Sequence, residues 1–218
     1  MIRNILAIIG VLAIVAGGYL YTRMGPMLDL MPMMSSPEMQ PMLDVVSKNP
    51  EGLKAAINNL NDGAGETATE LLKKWIDAKG ELATTATWAK KVQEGLSPDE
   101  VLDALSSVAT EMNIKAVGDL PLSKELQARG IKSKYLRVLS YCNPETARKM
   151  VDFAAPMSAF LPCRITLVEK DDGLWLYTLN MDMMIKMGAK MSPELLKETM
   201  KVRDTLWAML ERGSTGEF

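Results

Sequence analysis

Two cysteines are the only thiols in this 218-residue chain. Cys142 lies in Tyr141-Cys142-Asn143-Pro144-Glu145, and Cys163 lies in Leu161-Pro162-Cys163-Arg164-Ile165. Proline beside each marks a break between regular elements, where a sulfur is presented rather than buried. Asn143-Pro144 places Cys142 just ahead of a helix N-terminus, whose partial positive charge favours a thiolate and lowers the thiol pKa. Such a sulfur can form a disulfide, bind a soft metal, or attack a sulfur or carbonyl substrate. Three readings follow. The thiols are a structural pair, bridged or buried; or a ligand site for Cu(I) or a sulfur species, shared with Met181, Met183 or Met184; or a thiol–disulfide redox or nucleophilic centre. A bridge needs Cα atoms about 4.4–6.8 Å apart. A simple strand–helix–strand unit would put the two cysteines at opposite ends of a sheet, unless Ala155 to Leu161 climbs back.

Composition weighs against catalysis. Histidine is absent, which removes the usual general base and the commonest metal ligand. Glu145, Glu169 and Asp182 are the carboxylates near the sulfurs, and each reads as a solvated charge. Tyr141, Trp175 and Tyr177 can wall a pocket, though strand aromatics usually belong to a core. A net charge of −2 gives no general attraction to phosphate, so nucleic acid is not an expected partner.

The compartment decides what the thiols meet. From Asn4 to Thr22 there is no charge, and Ile5 to Tyr21 is a continuous apolar run in which nine residues are Ile, Leu or Val. These favour insertion by about 3–5 kcal/mol. Residues 1–23 therefore read as a single-pass anchor in the inner membrane, with the C-terminal domain in the periplasm. Ala16-Gly17-Gly18 offers the alternative of a cleaved signal. Gly10, Ala13 and Gly17 share one helical face and would let another membrane helix approach closely.

Residues 24–48 form a linker rich in methionine and proline, with seven of the chain's 18 methionines between Met24 and Met42. Pro26, Pro32, Pro37 and Pro41 forbid a long helix there. The thioethers, Met27, Met31 and Met34 among them, suit Cu(I), or they pack on lipid or a partner subunit. Residues 49–82 read as a helical spacer. Asn49-Pro50-Glu51 opens one helix through Leu60. A second, Glu66 to Ala78, carries Leu71, Leu72, Trp75 and Ile76 on one side.

Residues 85–212 change character. Thr85 to Gln93 reads as strand or helix. Ser97-Pro98-Asp99-Glu100 is a capping box before Val101, Leu102, Leu105 and Val108 at helical spacing. Ile114 to Val117 and Arg137 to Tyr141 are strand candidates, and Asn143-Pro144 starts a helix presenting Ala147 and Met150. Arg164–Glu169 and Leu174–Leu179 flank Lys170-Asp171-Asp172-Gly173, a hairpin signal. Ser192-Pro193-Glu194 starts a last helix with Leu195, Leu196, Thr199, Val202, Leu206, Met209 and Leu210 on its apolar face, and residues 213–218 are a tail. The expected class is α+β: a two-layer α/β sandwich, with a small mostly antiparallel sheet carrying helices on one face, preceded by a transmembrane helix and helical linker.

Cys142-Asn143-Pro144 followed by Ala147, then Leu161-Pro162-Cys163-Arg164-Ile165, the Asp-Asp-Gly hairpin and the closing helix resemble the family catalogued as domain of unknown function 302. The resemblance covers about residues 85–212. It implies a compact two-layer α/β sandwich that tends to dimerise, in bacterial proteins that are sometimes exported or fused to other modules, and it implies no activity. Family members often carry Asp-Pro after the hairpin, where this chain has Asn180-Met181-Asp182-Met183-Met184. The expectation is a membrane-anchored, extracytoplasmic, non-catalytic accessory or binding module, a partner of a larger membrane complex. Cu(I) or sulfur binding at Cys142 and Cys163, or thiol redox chemistry, are the alternatives.

Overall fold

A computed structural model describes Thr22, Gly25, Asp29, Leu30 and residues 32–218. The expected anchor with Gly10, Ala13 and Gly17, and the ligand candidates Met27 and Met31, lie outside the described residues. Among the described residues no helix is long and apolar enough to cross a membrane. The chain divides into two compact units at Asn58–Asn59.

The first unit contains α1 (Gln40–Lys48) and α2 (Pro50–Asn58). Prolines fix both starts, and the Asn49 side-chain oxygen accepts from the Gly52 amide at 3.0 Å, opening α2 as its sequence suggests. Neither helix buries a residue, and Met34 is exposed.

The second unit begins with α3 (Ala64–Asp77), a helical turn α4 (Leu82–Thr85) and strand β1 (Thr87–Lys91). The ambiguous stretch from Thr85 is thus the end of a helical turn followed by a strand. Then come α5 (Pro98–Glu111), β2 (Lys115–Leu120), α6 (Leu122–Ala128), β3 (Leu136–Cys142), α7 (Pro144–Phe153) and a 3₁₀ turn (Ala155–Phe160). The hairpin β4 (Cys163–Lys170) and β5 (Gly173–Leu179) leads to α8 (Met181–Lys186) and α9 (Pro193–Thr215). Five antiparallel strands form one sheet in the order β1-β5-β4-β3-β2, an α+β fold.

Strand parity builds the core. Leu139, Tyr141, Ile165, Leu167, Leu176 and Trp88 meet on one face of the sheet and are buried with Val101, Leu105 and Val108 of α5 and Leu206, Met209 and Leu210 of α9. Each such side chain contributes about 1.5–3 kcal/mol through burial. The Ser97–Glu100 capping box starts α5 where the sequence places it. Gly213 lets α9 approach closely: a Cβ there would stand 2.8 Å from Leu105 Cδ2 and 3.0 Å from Leu176 Cδ1. In the hairpin, Gly173 takes a φ of +119°, which side-chain-bearing residues rarely adopt. Two short helices, α6 and α8, have no counterpart in the sequence reading, because seven and six residues are too few to show a helical period.

Candidate functional site

The α7 excursion returns the chain to the end of the sheet it left. β3 and β4 are antiparallel neighbours, with Tyr141 opposite Cys163 and Cys142 opposite Lys115 of β2. The two cysteines therefore lie at the same end of the sheet, not at opposite ends as a simple strand–helix–strand unit would have them. They are free thiols rather than a bridge. The register supplies the reason: the residue facing Cys163 is Tyr141, and successive side chains on a strand alternate faces, so Cys142 does not stand opposite Cys163 in the ladder.

Both thiols nevertheless line one cavity of about 110 Å³ beyond the strand ends. Its walls come from the first two turns of α7 (Thr146, Ala147, Met150), the 3₁₀ turn (Met157, Phe160), α8 (Met181, Met184) and α9 (Thr199, Val202). Arg164 and Leu179 join Cys163 and Thr178 in the lining. Residues of both strand parities contribute, so the cavity caps the sheet's end rather than one of its faces. A cis peptide joins Leu161 to Pro162 in this wall. Of the predicted ligand set, Cys142, Cys163, Met181 and Met184 come together here. Met183 does not line the cavity, and exposed Met34 belongs to the other unit.

Local structure fixes the wall. Asn143 caps α7, its side-chain oxygen accepting from the Thr146 amide at 3.0 Å. Asn180, 1% exposed, caps α8 by accepting from the Met183 amide at 3.1 Å, while its own amide donates to the Ala86 carbonyl at 2.8 Å. The segment after the hairpin is thus a capped helix whose Met181 and Met184 line the same cavity as the thiols. Thr178 Oγ1 donates to the Arg164 carbonyl at 2.7 Å. Thr199 Oγ1 lies 2.8 Å from the Leu195 carbonyl oxygen and 3.1 Å from Met150 Sδ.

Asp182 locks α8 onto α9. Its carboxylate accepts from Arg203 Nε at 3.1 Å and Nη2 at 2.8 Å, with Lys186 Nζ at 3.0 Å. The Arg203 guanidinium also lies over the buried Trp88 ring, 5.3 Å from its centroid. Burial pushes the Asp182 carboxyl up, but the hydrogen bonds from Arg203 and Lys186 outweigh it and hold the group below the ordinary carboxylate value. A folded pKa below the unfolded one stabilises above the unfolded value of about 4, and the gain is lost as pH falls through the folded value. Asp182→Asn is therefore expected to lower the urea midpoint more at pH 7 than near pH 2. An equal loss at both pH values would contradict the role of the charge.

The expected thiolate at Cys142 is not favoured: burial pushes its thiol up from the ordinary value. Cys163 is pushed up to about 11 by burial and by the neighbouring Cys142 thiol, with Arg164 opposing. Both sulfurs are S–H at neutral pH. Iodoacetamide at pH 7 should alkylate Cys163 at least about tenfold more slowly than free cysteine, rising about tenfold per pH unit, with Cys142 reacting first. Peptide mass spectrometry checks this, and rapid neutral-pH labelling of Cys163 would contradict it.

The remaining candidates lie elsewhere. Tyr141 is buried in the core, and Trp175 stacks on Tyr177 at 6.1 Å. Glu169 accepts from the Tyr135 amide, and Glu145 is exposed. None of these residues lines the cavity. One structural residue that the sequence reading does not single out is Asn61. It is 4% exposed, and its amide donates to the carbonyls of Ile185 at 2.9 Å and Ala189 at 3.0 Å, while its oxygen accepts from the Met191 amide at 2.9 Å.

Residues 88–213 match the family described as Domain of unknown function DUF302. The chain belongs to that family. A crystal structure of an uncharacterized conserved DUF302 protein from Bacillus stearothermophilus is similar at 19% identity, covering 58% of this chain and 96% of that one with a TM-score of 0.48. No curated protein matches the chain.

Proposed function

We propose that this chain is a non-catalytic binding module. Its family domain, a two-layer α/β sandwich, holds a small ligand in the Cys142–Cys163 cavity, and the Asn4–Thr22 segment tethers it to the periplasmic side of the inner membrane. The observation that carries this reading is the cavity itself: largely apolar walls, two protonated thiols and no carboxylate among the lining residues. A nucleophilic or redox site requires a thiolate and a nearby base, whereas a pocket with apolar walls and a few polar groups suits a ligand. Exposed Leu72, Trp75 and Ile76, one stripe of α3, support a partner surface of the kind a membrane complex offers. A second copy of the chain is the other partner this reading admits.

The test is thiol protection. Saturating 1-octanol, a neutral apolar probe, should slow N-ethylmaleimide labelling of Cys163 at pH 9 several-fold in the full chain. Unchanged labelling in the presence of the probe would count against a ligand cavity. For the tether, a reporter fused behind Phe218 should be active on the periplasmic side, and a cytosolic reporter would overturn that part.

Convergence of Cys142, Cys163, Met181 and Met184 on one cavity favours Cu(I) as a second reading, since thiolate and thioether are its preferred ligands. Stoichiometric Cu(I) uptake abolished by Cys142→Ser and by Cys163→Ser would support it. Binding would have to displace protons from both raised thiols, so uptake should strengthen as pH rises.

A further inference from the structure

We infer that the cavity's ligand is an organic anion, with its apolar body among the methionines and its carboxylate paired to Arg164. The inference rests on the ligand-binding reading above and names the chemical class that the cavity selects.

The polar groups around the cavity divide by what they still have to offer. The Thr178 and Thr199 hydroxyl protons are engaged by the Arg164 and Leu195 carbonyls. Asn143 uses its side-chain oxygen on the α7 cap, which leaves its amide NH₂ to give. The raised thiols are S–H, weak donors. Arg164 is the decisive group. Arg137, Arg148, Arg203 and Arg212 pair with Asp119, Asp152, Asp182 and Glu111 respectively, whereas Arg164 and Arg129 pair with no carboxylate among the described residues, and of these two only Arg164 lines the cavity. Its backbone is fixed in β4, its carbonyl is held by Thr178, and the residue is both exposed and part of the cavity lining.

Uncommitted donors and one unpaired guanidinium therefore border a cavity without a single acidic residue. A cation entering it would meet positive charge and no carboxylate. A neutral apolar molecule would gain the walls but leave Arg164 unused. A carboxylate matches the guanidinium fork with two parallel, charge-assisted hydrogen bonds, while an attached chain displaces water from Met150, Met157, Met181 and Met184.

Isothermal titration of the full chain with octanoate and with 1-octanol separates these cases. Octanoate should bind at one site at least tenfold more tightly than octanol. Arg164→Met should remove that preference and leave octanol affinity within about twofold, and Arg164→Lys should retain part of it. Because Arg164 is exposed, an unchanged melting temperature will show that both variants fold. Equal affinity for the two probes, unaffected by Arg164→Met, would overturn the anion assignment while leaving a neutral-ligand cavity standing. Binding of neither probe would overturn both.

Discussion

Asn61→Ala is expected to destabilise the second unit by about 3 kcal/mol and to loosen the cavity wall formed by α8. The Asn61 amide and oxygen satisfy the backbone of the segment that follows α8, reaching Ile185, Ala189 and Met191. The neighbouring chain reinforces the clamp: Leu60 forms a bridge with Ala189, and the Lys190 amide donates to the Asn59 carbonyl at 2.7 Å. Alanine offers neither donor nor acceptor. The Met191 amide, in a residue only 6% exposed, would then be left without a partner. Each buried backbone group stranded in this way costs about 1–3 kcal/mol. For a unit of this size the loss should appear as a fall of roughly 6–12 °C in melting temperature. Hydrogen exchange should rise first in α8 and its following loop. Asn61→Asp should be no milder, since a carboxylate would face carbonyl oxygens. A melting temperature within 2 °C of the parent would refute the clamp.

Ala147→Phe is expected to abolish ligand binding while preserving the fold. Ala147 lies on the half-buried side of α7 and lines the cavity directly. A phenyl ring at this position would enter open space rather than packed core, so the cost should stay at or below the 1–3 kcal/mol typical of overpacking. Octanoate and octanol affinity should both fall at least tenfold, unlike the selective effect at Arg164. Ala147→Leu should give an intermediate loss. Unchanged binding of either probe to a folded Ala147→Phe variant would place the site elsewhere.

Much of the fold was legible because strong local chemistry marks its elements. Ser97 and Glu100 announce α5, Asn143-Pro144 announces α7, and Asp171-Asp172-Gly173 announces the hairpin; each stands where the sequence places it. Helical spacing picked out Leu206, Met209 and Leu210 as the buried face of α9. The sequence groups the two thiols with Met181, Met183 and Met184 as one ligand set, and all of these but Met183 line one cavity.

What stayed hidden depends on tertiary contact. The α8 helix carries only six residues, although Asn180 as its cap was a readable signal. For the thiols, a helix N-terminus is visible in sequence, whereas the burial that raises both of them is not. The apolar side of α3 reads in sequence as part of a helical spacer; in the structure the helix buries Ala64, Thr67 and Leu71, while Leu72, Trp75 and Ile76 stay exposed. Asn61 and Arg164 could not be recognised beforehand. One is defined by contacts more than a hundred residues away, the other by the absence of an acidic neighbour.

The most direct test is a methyl NMR titration of the full chain, labelled at methionine, with octanoate. Resonances of Met150, Met157, Met181 and Met184 should move together along one saturable curve, while the core residue Met209 and the exposed Met34 stay in place. Perturbation centred on any other methionines, with those four unmoved at saturation, would show that the sulfur-lined cavity is not where this protein binds.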